Sequence, residues 1–288
     1  MLQAGLRQKV LITGASRGLG ECLARTFWLA GHDLLLVSRS VDALHALSEE
    51  LATKAADGQS VHFVDADLAL EGAVARIIAH ARSLWDHLDV VVNNAAIIGP
   101  IGPAWENEWA HWVHAIRVNL LAPVELSRAA ACWMVPNRSG CIINISGGGA
   151  TSPRPHFSAY ATAKAGLVRF SETLAQELLP SNIQVNCIAP GAMNTRMHAD
   201  VLQTGAELVG EREWAIAQRQ LQTGGTPMER PAELCLFLSS PQGKRITGRL
   251  ISAIWDDWKN LPEFADMLES SDIYTLRRII PEDRGMKW

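Results

Sequence analysis

The chain alternates between two textures. Short apolar runs rich in β-branched residues recur at Val10–Thr13, Leu34–Val37, Val61–Val64, Val90–Val92, Ile142–Ile145, Ile183–Ile188 and Leu250–Ala253. Several are continuously apolar, as strands covered on both faces are. Between them lie stretches of helical periodicity. Leu44, Leu47 and Leu51 share one face of 42–56, and Val74, Ile77, Ile78, Ala81 and Leu84 share one face of 71–85. Strict alternation of strand and helix predicts right-handed crossovers and an α/β fold, a doubly wound parallel sheet with helices on both faces. No linker or internal repeat divides the chain, so residues 1–253 read as one domain. Within it, 196–230 is poor in strand signals and is expected to be an excursion that covers a substrate. The remaining 254–288 is too rich in Trp, Leu and Ile for a disordered end. It is expected to pack on the core or on a neighbouring subunit.

Charge and cysteine usage narrow the function classes. The net charge is −4 with no basic stripe, so nucleic acid is not expected as a partner. No apolar run is long enough to span a bilayer, and no membrane partner is expected. The cysteines (Cys22, Cys132, Cys141, Cys187, Cys235) are scattered, odd in number and without a CxxC pair. That usage suits a reducing compartment. A strand pattern begins almost at the first residue, leaving no room for a signal peptide, so the expected location is cytoplasmic.

The first strand runs into a glycine-rich turn, Thr13 to Gly20, followed by an amphipathic helix carrying Leu19, Leu23 and Phe27. Gly14, Gly18 and Gly20 let the backbone turn sharply and approach a pyrophosphate at the helix N-terminus, with Ser16, Arg17 and Leu19 completing the turn. This is the phosphate-binding turn of a Rossmann-type sheet. Sites that take NAD usually carry an acid after the second strand to hold the ribose 2′-hydroxyl. Here that strand ends in Ser38 and Arg39, with no acid at its tip. Arg39 and Arg17 are suited to clamp a 2′-phosphate, so NADP(H) is the expected cofactor and NAD(H) the alternative.

Further motifs follow in order: Asp67 and Leu68 after the third strand, Asn93-Asn94-Ala95-Ala96, Asn119, Tyr160 four residues before Lys164, Pro190-Gly191 with Thr195, and Ile246 to Gly248. Across residues 8–253 this set resembles the short-chain dehydrogenase/reductase family in its compact single-domain branch. The resemblance implies that Asp67 meets the adenine, Asn93 supports the sheet, and Asn94, Ala95 and Ala96 line the cofactor. It also implies that Pro190, Gly191 and Thr195 cradle the nicotinamide amide. Tyr160 would be the acid/base, Lys164 its activator and ribose ligand, and Asn119 the anchor of a relay water. The residues make chemical sense of this. Tyr160 and Lys164 stand i and i+4 on a helix, and an ammonium beside a phenol of ordinary pKa ~10 stabilises its phenolate.

Two positions depart from the family. Ala96 replaces a glycine, which alanine tolerates if its φ stays negative. The serine that polarises the substrate carbonyl is missing: its usual position holds Gly147 and the nearest serine is Ser146. Strand alternation points neighbouring side chains to opposite faces, but the glycines at 147–149 can form a bulge that re-aims Ser146. Ser146 is taken as the polarising hydroxyl, with Ser158, a water or an inactive site as alternatives.

The expected activity is NADP(H)-dependent interconversion of a carbonyl and an alcohol by hydride transfer. The alternatives are a dinucleotide-binding regulatory or scaffold protein without turnover, and lyase or epimerase chemistry on the same fold. The substrate is expected to be a small molecule meeting Gly147, Gly148, Arg154, His156, Arg196 and Trp214. Trp105, Trp109 and Trp112 recur at helical spacing, predicting a buried face against the core or a second subunit, and a homodimer or homotetramer. His111 and His114 lack further ligands nearby, so no metal is expected.

Overall fold

A computed structural model describes residues 7–287. The strands are β1 (Lys9–Thr13), β2 (Asp33–Ser38), β3 (Val61–Asp65), β4 (Val90–Asn93), β5 (Gly140–Ile145), β6 (Ile183–Ala189) and β7 (Leu250–Ser252). They form one sheet in the order β3-β2-β1-β4-β5-β6-β7, parallel at every pairing. Helices α1 (Gly18–Leu29), α2 (Val41–Ala52), α3 (Ala73–Leu84), α4 (Trp109–Ile116), α5 (Ala122–Met134) and α6 (Ser158–Leu178) connect the first six strands. Between β6 and β7 come α7 (Arg196–Thr204), α8 (Ala206–Val209), α9 (Glu211–Thr223) and α10 (Glu229–Ser239), and α11 (Ala265–Glu269) lies beyond the sheet. The fold is the Rossmann-type α/β sheet that the alternating pattern predicts.

Strand alternation splits the core in two. Val10, Ile12, Ile143 and Ile145 pack with α1, α2 and α10 on one face, while Leu11, Ile142 and Val185 pack with α3, α5 and α6 on the other. Burying both faces is what demands the continuous apolar runs. The second face also carries a polar seam. Asn93 Nδ2 donates to Asn144 Oδ1 at 2.8 Å and to Ser127 Oγ at 3.0 Å, and Asn144 Nδ2 donates to Ser171 Oγ at 2.7 Å. These buried bonds tie β4 and β5 to α5 and α6 directly beneath the strand ends. The winding reverses between β1 and β4, and a crevice opens at their carboxyl ends.

The residues after β7 wrap the sheet's edge. Trp258, Leu261 and Leu268 are buried in the same cluster as α1 and α10. The chain then crosses β7, where Leu250 N donates to Tyr274 O at 2.8 Å, and reaches the opposite face, where Leu276 N donates to Glu172 Oε1 at 2.6 Å. Arg249, 8% exposed, holds the crossing by donating to the carbonyls of Leu268, Ser271 and Ile273. An edge strand that would otherwise offer unpaired backbone groups is thereby covered. Leu276→Ala is expected to lower stability by about 1 kcal/mol, as for a half-buried leucine. The measurement is the urea midpoint at unchanged slope.

The tryptophan trio does not form a buried face within the chain. Trp105 precedes α4 and is 85% exposed, and Trp109 is 71% exposed and stacks on Trp112 at 5.1 Å. Trp112 alone turns inward, its Nε1 donating to Ser158 Oγ at 3.2 Å. Helical spacing does not extend to Trp105 because the helix starts only at Trp109.

Candidate active site

A single cleft of about 1630 Å³ runs along the carboxyl ends of β1, β4, β5 and β6. One end is built by the turn from β1 into α1. Gly14 adopts φ +67°, and a β-carbon on Gly20 would lie 2.0 Å from Gly14 O, so the helix closes onto the turn only with glycine there. Arg17 is the N-cap of α1, extended and making no side-chain cap, which leaves that bond to the first-turn amides unmade. Asn94 Nδ2 donates to Thr13 O at 2.9 Å, and the Asn94 and Ala95 amides donate to Thr13 Oγ1 at 3.0 and 3.1 Å. These bonds fasten the 94–96 segment beside the turn. The non-glycine residues with left-handed φ are Arg138, His156, Asn182 and Tyr274; Ala96 is not among them.

Ser16, Gly18, Leu19, Ser38, Arg39, Asp67 and Leu68 line the same end. Asp67 Oδ1 accepts from Ala69 N at 2.9 Å, and its other oxygen stands 3.9 Å from Arg39 Nη1. Arg39 is more than half exposed, and among the described residues its guanidinium is held only by this loose ion pair. Across the cleft, Thr195 caps α7 and its Cγ2 lies within 3.7 Å of where a Gly18 side chain would begin; Pro190 and Gly191 form the adjoining wall.

The other end is set by α6. Tyr160 and Lys164 are both buried, at 6% and 2% exposure, and both line the cleft. Lys164 Nζ donates to Ile145 O at 2.7 Å and stands 5.7 Å from the Tyr160 ring centroid. Burial pulls the Lys164 ammonium down to about 8. Burial also pushes the Tyr160 hydroxyl above its ordinary value, with the charge of Arg154 opposing. Asn119 sits in a π-helical turn, Arg117–Leu121, between α4 and α5. Its Oδ1 accepts from Ile97 N at 2.9 Å and its Nδ2 donates to Ile97 O at 2.8 Å, so the side chain is spent on Ile97. Ser146 is 2% exposed, and its Oγ is buried without a hydrogen-bond partner. At Gly147, a β-carbon would stand 2.3 Å from Tyr160 Oη. The tyrosine hydroxyl fills the place where a side chain would start.

Sequence comparison decides what this arrangement is. A family profile described as short chain dehydrogenase matches residues 8–205. The chain belongs to the short-chain dehydrogenase/reductase family. It is 31% identical to the 3-oxoacyl-(acyl-carrier-protein) reductase FabG of Aquifex aeolicus (strain VF5), covering 87% of this chain and 97% of the relative. It is 32% identical to nodulation protein G of Rhizobium sp. (strain N33), covering 85% and 94%. Among solved structures, YwfH, an NADPH-dependent reductase involved in bacilysin biosynthesis, superposes with a TM-score of 0.76 at 26% identity over 86% of this chain and 96% of that one. Levodione reductase gives 0.77 at 25% identity, over 85% and 95%. The chain is thus a short-chain dehydrogenase/reductase enzyme, an oxidoreductase.

In this short-chain dehydrogenase/reductase one wall of the cleft is lined by residues of α7 and α9. Arg154, from the loop before α6, lines the cleft with Gly147 and Gly148, but its Nε and Nη2 reach Glu213 Oε2 on α9 at 3.0 and 2.9 Å. Arg196 lines the cleft and pairs with Asp200 at 3.1 Å. Trp214 and His156 are not brought to the cleft wall. Trp214 packs with Phe157 and Val201, and His156 lies against Gly210 with a left-handed φ of +68°. Sequence reasoning missed Glu213, His111, His114 and Trp255, all of which line the cleft. Trp255 is 87% exposed at the mouth, and its only sequence signal was the unusual stretch after β7. Among the described residues there is no group of three or more potential metal ligands.

Proposed function

We propose that this enzyme is an NADP(H)-dependent carbonyl reductase in which Tyr160 is the acid/base. The observation that carries the reading is the placement of buried Tyr160 and Lys164 in the same continuous cleft as the Gly14–Gly20 turn. A dinucleotide fits the residues present. Gly20 leaves no room for a side chain, and the uncapped first turn of α1 offers amides to a pyrophosphate. Gly14, Ser16, Arg17, Gly18 and Leu19 would hold the phosphates, Asp67 and Leu68 the adenine side, and Asn94, Ala95, Ala96, Pro190, Gly191 and Thr195 the opposite half. When bound, the dinucleotide supplies or accepts the hydride. Tyr160 Oη gives its proton to the carbonyl oxygen in reduction and takes it back in oxidation. Lys164 keeps a positive charge near the phenol and, from its bond to Ile145 O, is placed to orient a ribose. With its side chain tied to Ile97, Asn119 would hold a relay water through its main-chain carbonyl, which a π turn can leave unpaired. Ser146 can act as the polarising hydroxyl after a side-chain rotation, which breaks no hydrogen bond because its Oγ has none. The relatives named as 3-oxoacyl and levodione reductases support a ketone as substrate.

NADP(H) over NAD(H) rests on the tip of β2, where Ser38 and Arg39 stand in place of an acid. A 2′-phosphate would recruit Arg39, which gives up only the loose pair with Asp67. Arg39→Ala is expected to raise KM for NADPH about tenfold, the equivalent of ~1.4 kcal/mol, and to leave NADH nearly unchanged. Steady-state loss of NADPH absorbance with a panel of ketones and aldehydes measures this and the activity together. Tight NADPH binding with no turnover of any carbonyl would favour a regulatory or scaffold role.

The exposed face of Trp109 and Val113, with Leu121 beyond it, is one that a second copy of the chain would cover, in keeping with a homo-oligomer. The five unpaired cysteines accord with a cytoplasmic location.

A further inference from the structure

The volume where a residue-147 side chain would begin is filled by Tyr160 Oη, so no hydroxyl from that position sets the tyrosine's surroundings. One cation besides Lys164 stands against it. Arg154 Cζ lies 4.0 Å from the Phe157 ring centroid and 5.9 Å from that of Tyr160. The guanidinium spends Nε and Nη2 on a single oxygen of Glu213 and turns Nη1 toward Gly148, 3.8 Å from where a β-carbon would be. Glu213 belongs to α9, so this ion pair joins that wall of the cleft to the loop that leads into the tyrosine's helix.

We infer that Arg154 is a positioning residue that takes the missing serine's place as electrostatic partner of Tyr160, and that Glu213 on α9 attenuates it. The inference rests on the reading of Tyr160 as acid/base. A guanidinium stays charged at every working pH, so its effect is constant unless its partner changes. Arg154 and Glu213 are 21% and 28% exposed, leaving the pair only partly screened by solvent. Burial drives the Tyr160 hydroxyl up, and Arg154's charge pulls it back. Removing the cation leaves burial unopposed. Removing the Glu213 charge while keeping Arg154 uncovers the cation. The two substitutions therefore move Tyr160 in opposite directions, which a merely structural ion pair cannot do.

The other charged and titratable groups around Tyr160 are accounted for. Lys164, on its own helix, is tied to Ile145 O. From α7, Arg196 pairs with Asp200, and His198 Nε2 lies 2.8 Å from Ala217 O. His111 and His114 face the cleft from α4, and His156 lies in Arg154's own loop. None of these contributes to a phenolate band.

The chain has only two tyrosines, Tyr160 and Tyr274, so in a Tyr274→Phe background the ultraviolet phenolate absorbance reports Tyr160 alone. We would compare Arg154→Met, Arg154→Lys and Glu213→Gln in that background. The comparison is made at the highest pH at which circular dichroism shows all of them folded. The expected order of ionised Tyr160 is Glu213→Gln above parent, parent level with Arg154→Lys, and Arg154→Met below. KM for NADPH should be unchanged across the set. Equal ionisation in all variants, or shifts of one sign in Arg154→Met and Glu213→Gln, would overturn the inference. So would Arg154→Lys behaving like Arg154→Met, since shape and not charge would then matter. The readout needs no turnover. If the order holds while Tyr160→Phe stays active, the function reading fails and only the electrostatic coupling of Arg154 to Tyr160 survives; if the order is absent while Tyr160→Phe is inactive, only this inference fails.

Discussion

Tyr160→Phe is expected to lower kcat by about 10³-fold or more, within the range for loss of a positioned acid/base, with NADPH affinity little changed. The substitution removes one oxygen and nothing else. The ring stays packed with Phe157, Val201 and Val209, so the fold should be preserved and the thermal midpoint close to the parent's. Neither candidate serine is ready to take its place. Ser146 Oγ is buried, and Ser158 Oγ already accepts from Trp112. The parent's pH dependence follows from the neighbouring lysine. Reduction needs a protonated Tyr160 beside a charged Lys164. Lys164 is held down to about 8 by burial, so it is charged below that pH and loses its proton above it. Reductive kcat should therefore be full below about 8 and fall as the pH rises through that value. A Tyr160→Phe enzyme within tenfold of the parent would sink the proposed mechanism.

The cofactor half of the cleft was legible because its chemistry is local. Most strands announced themselves as short apolar runs, and the Gly14–Gly20 turn is a contiguous stretch with glycine at the positions whose φ or close contact requires it. Tyr160 and Lys164 were legible as i and i+4 on α6, since one helical turn fixes them on one face. The α7–α9 wall was not legible. Arg154 and Glu213 are 59 residues apart, and no periodicity links a loop arginine to a glutamate on the fourth helix after it. Sequence read Arg154 as meeting the substrate; the fold gives it a carboxylate from α9. That the Asn119 amide bonds the backbone of Ile97 depends on a π turn that no composition signals. The path of the last segment was equally hidden. Its apolar content said that it packs, and only the fold shows it passing over β7 from one face of the sheet to the other.

Restoring a serine at Gly147 is expected to reduce kcat by about 10²-fold, the size of loss that a misplacement of about 1 Å produces. Comparison with the family suggests the opposite, that Gly147→Ser would repair a defective site. Geometry argues against repair. The new β-carbon would stand 2.3 Å from Tyr160 Oη, 3.1 Å from its Cζ and 3.2 Å from its Cε1, so the whole outer edge of the ring must withdraw. The ring is embedded with Phe157, Val201, Val209 and Ala217, and α6 is anchored through Ala159 and Ala163, both fully buried. A withdrawal large enough to relieve the contact repacks the α7–α9 wall or tilts the ring, and either moves the hydroxyl from where the carbonyl oxygen is met. Gly147→Ala separates the effects, since it imposes the same contact and adds no hydroxyl. Equal losses in the two variants, measured as kcat with KM for NADPH unchanged, assign the effect to displaced Tyr160. A gain in Gly147→Ser alone would mean that the ring yields cheaply and that carbonyl polarisation was limiting, which would return the missing serine to the centre of the mechanism. On the packing described, the glycine is the residue that lets Tyr160 stand where it does.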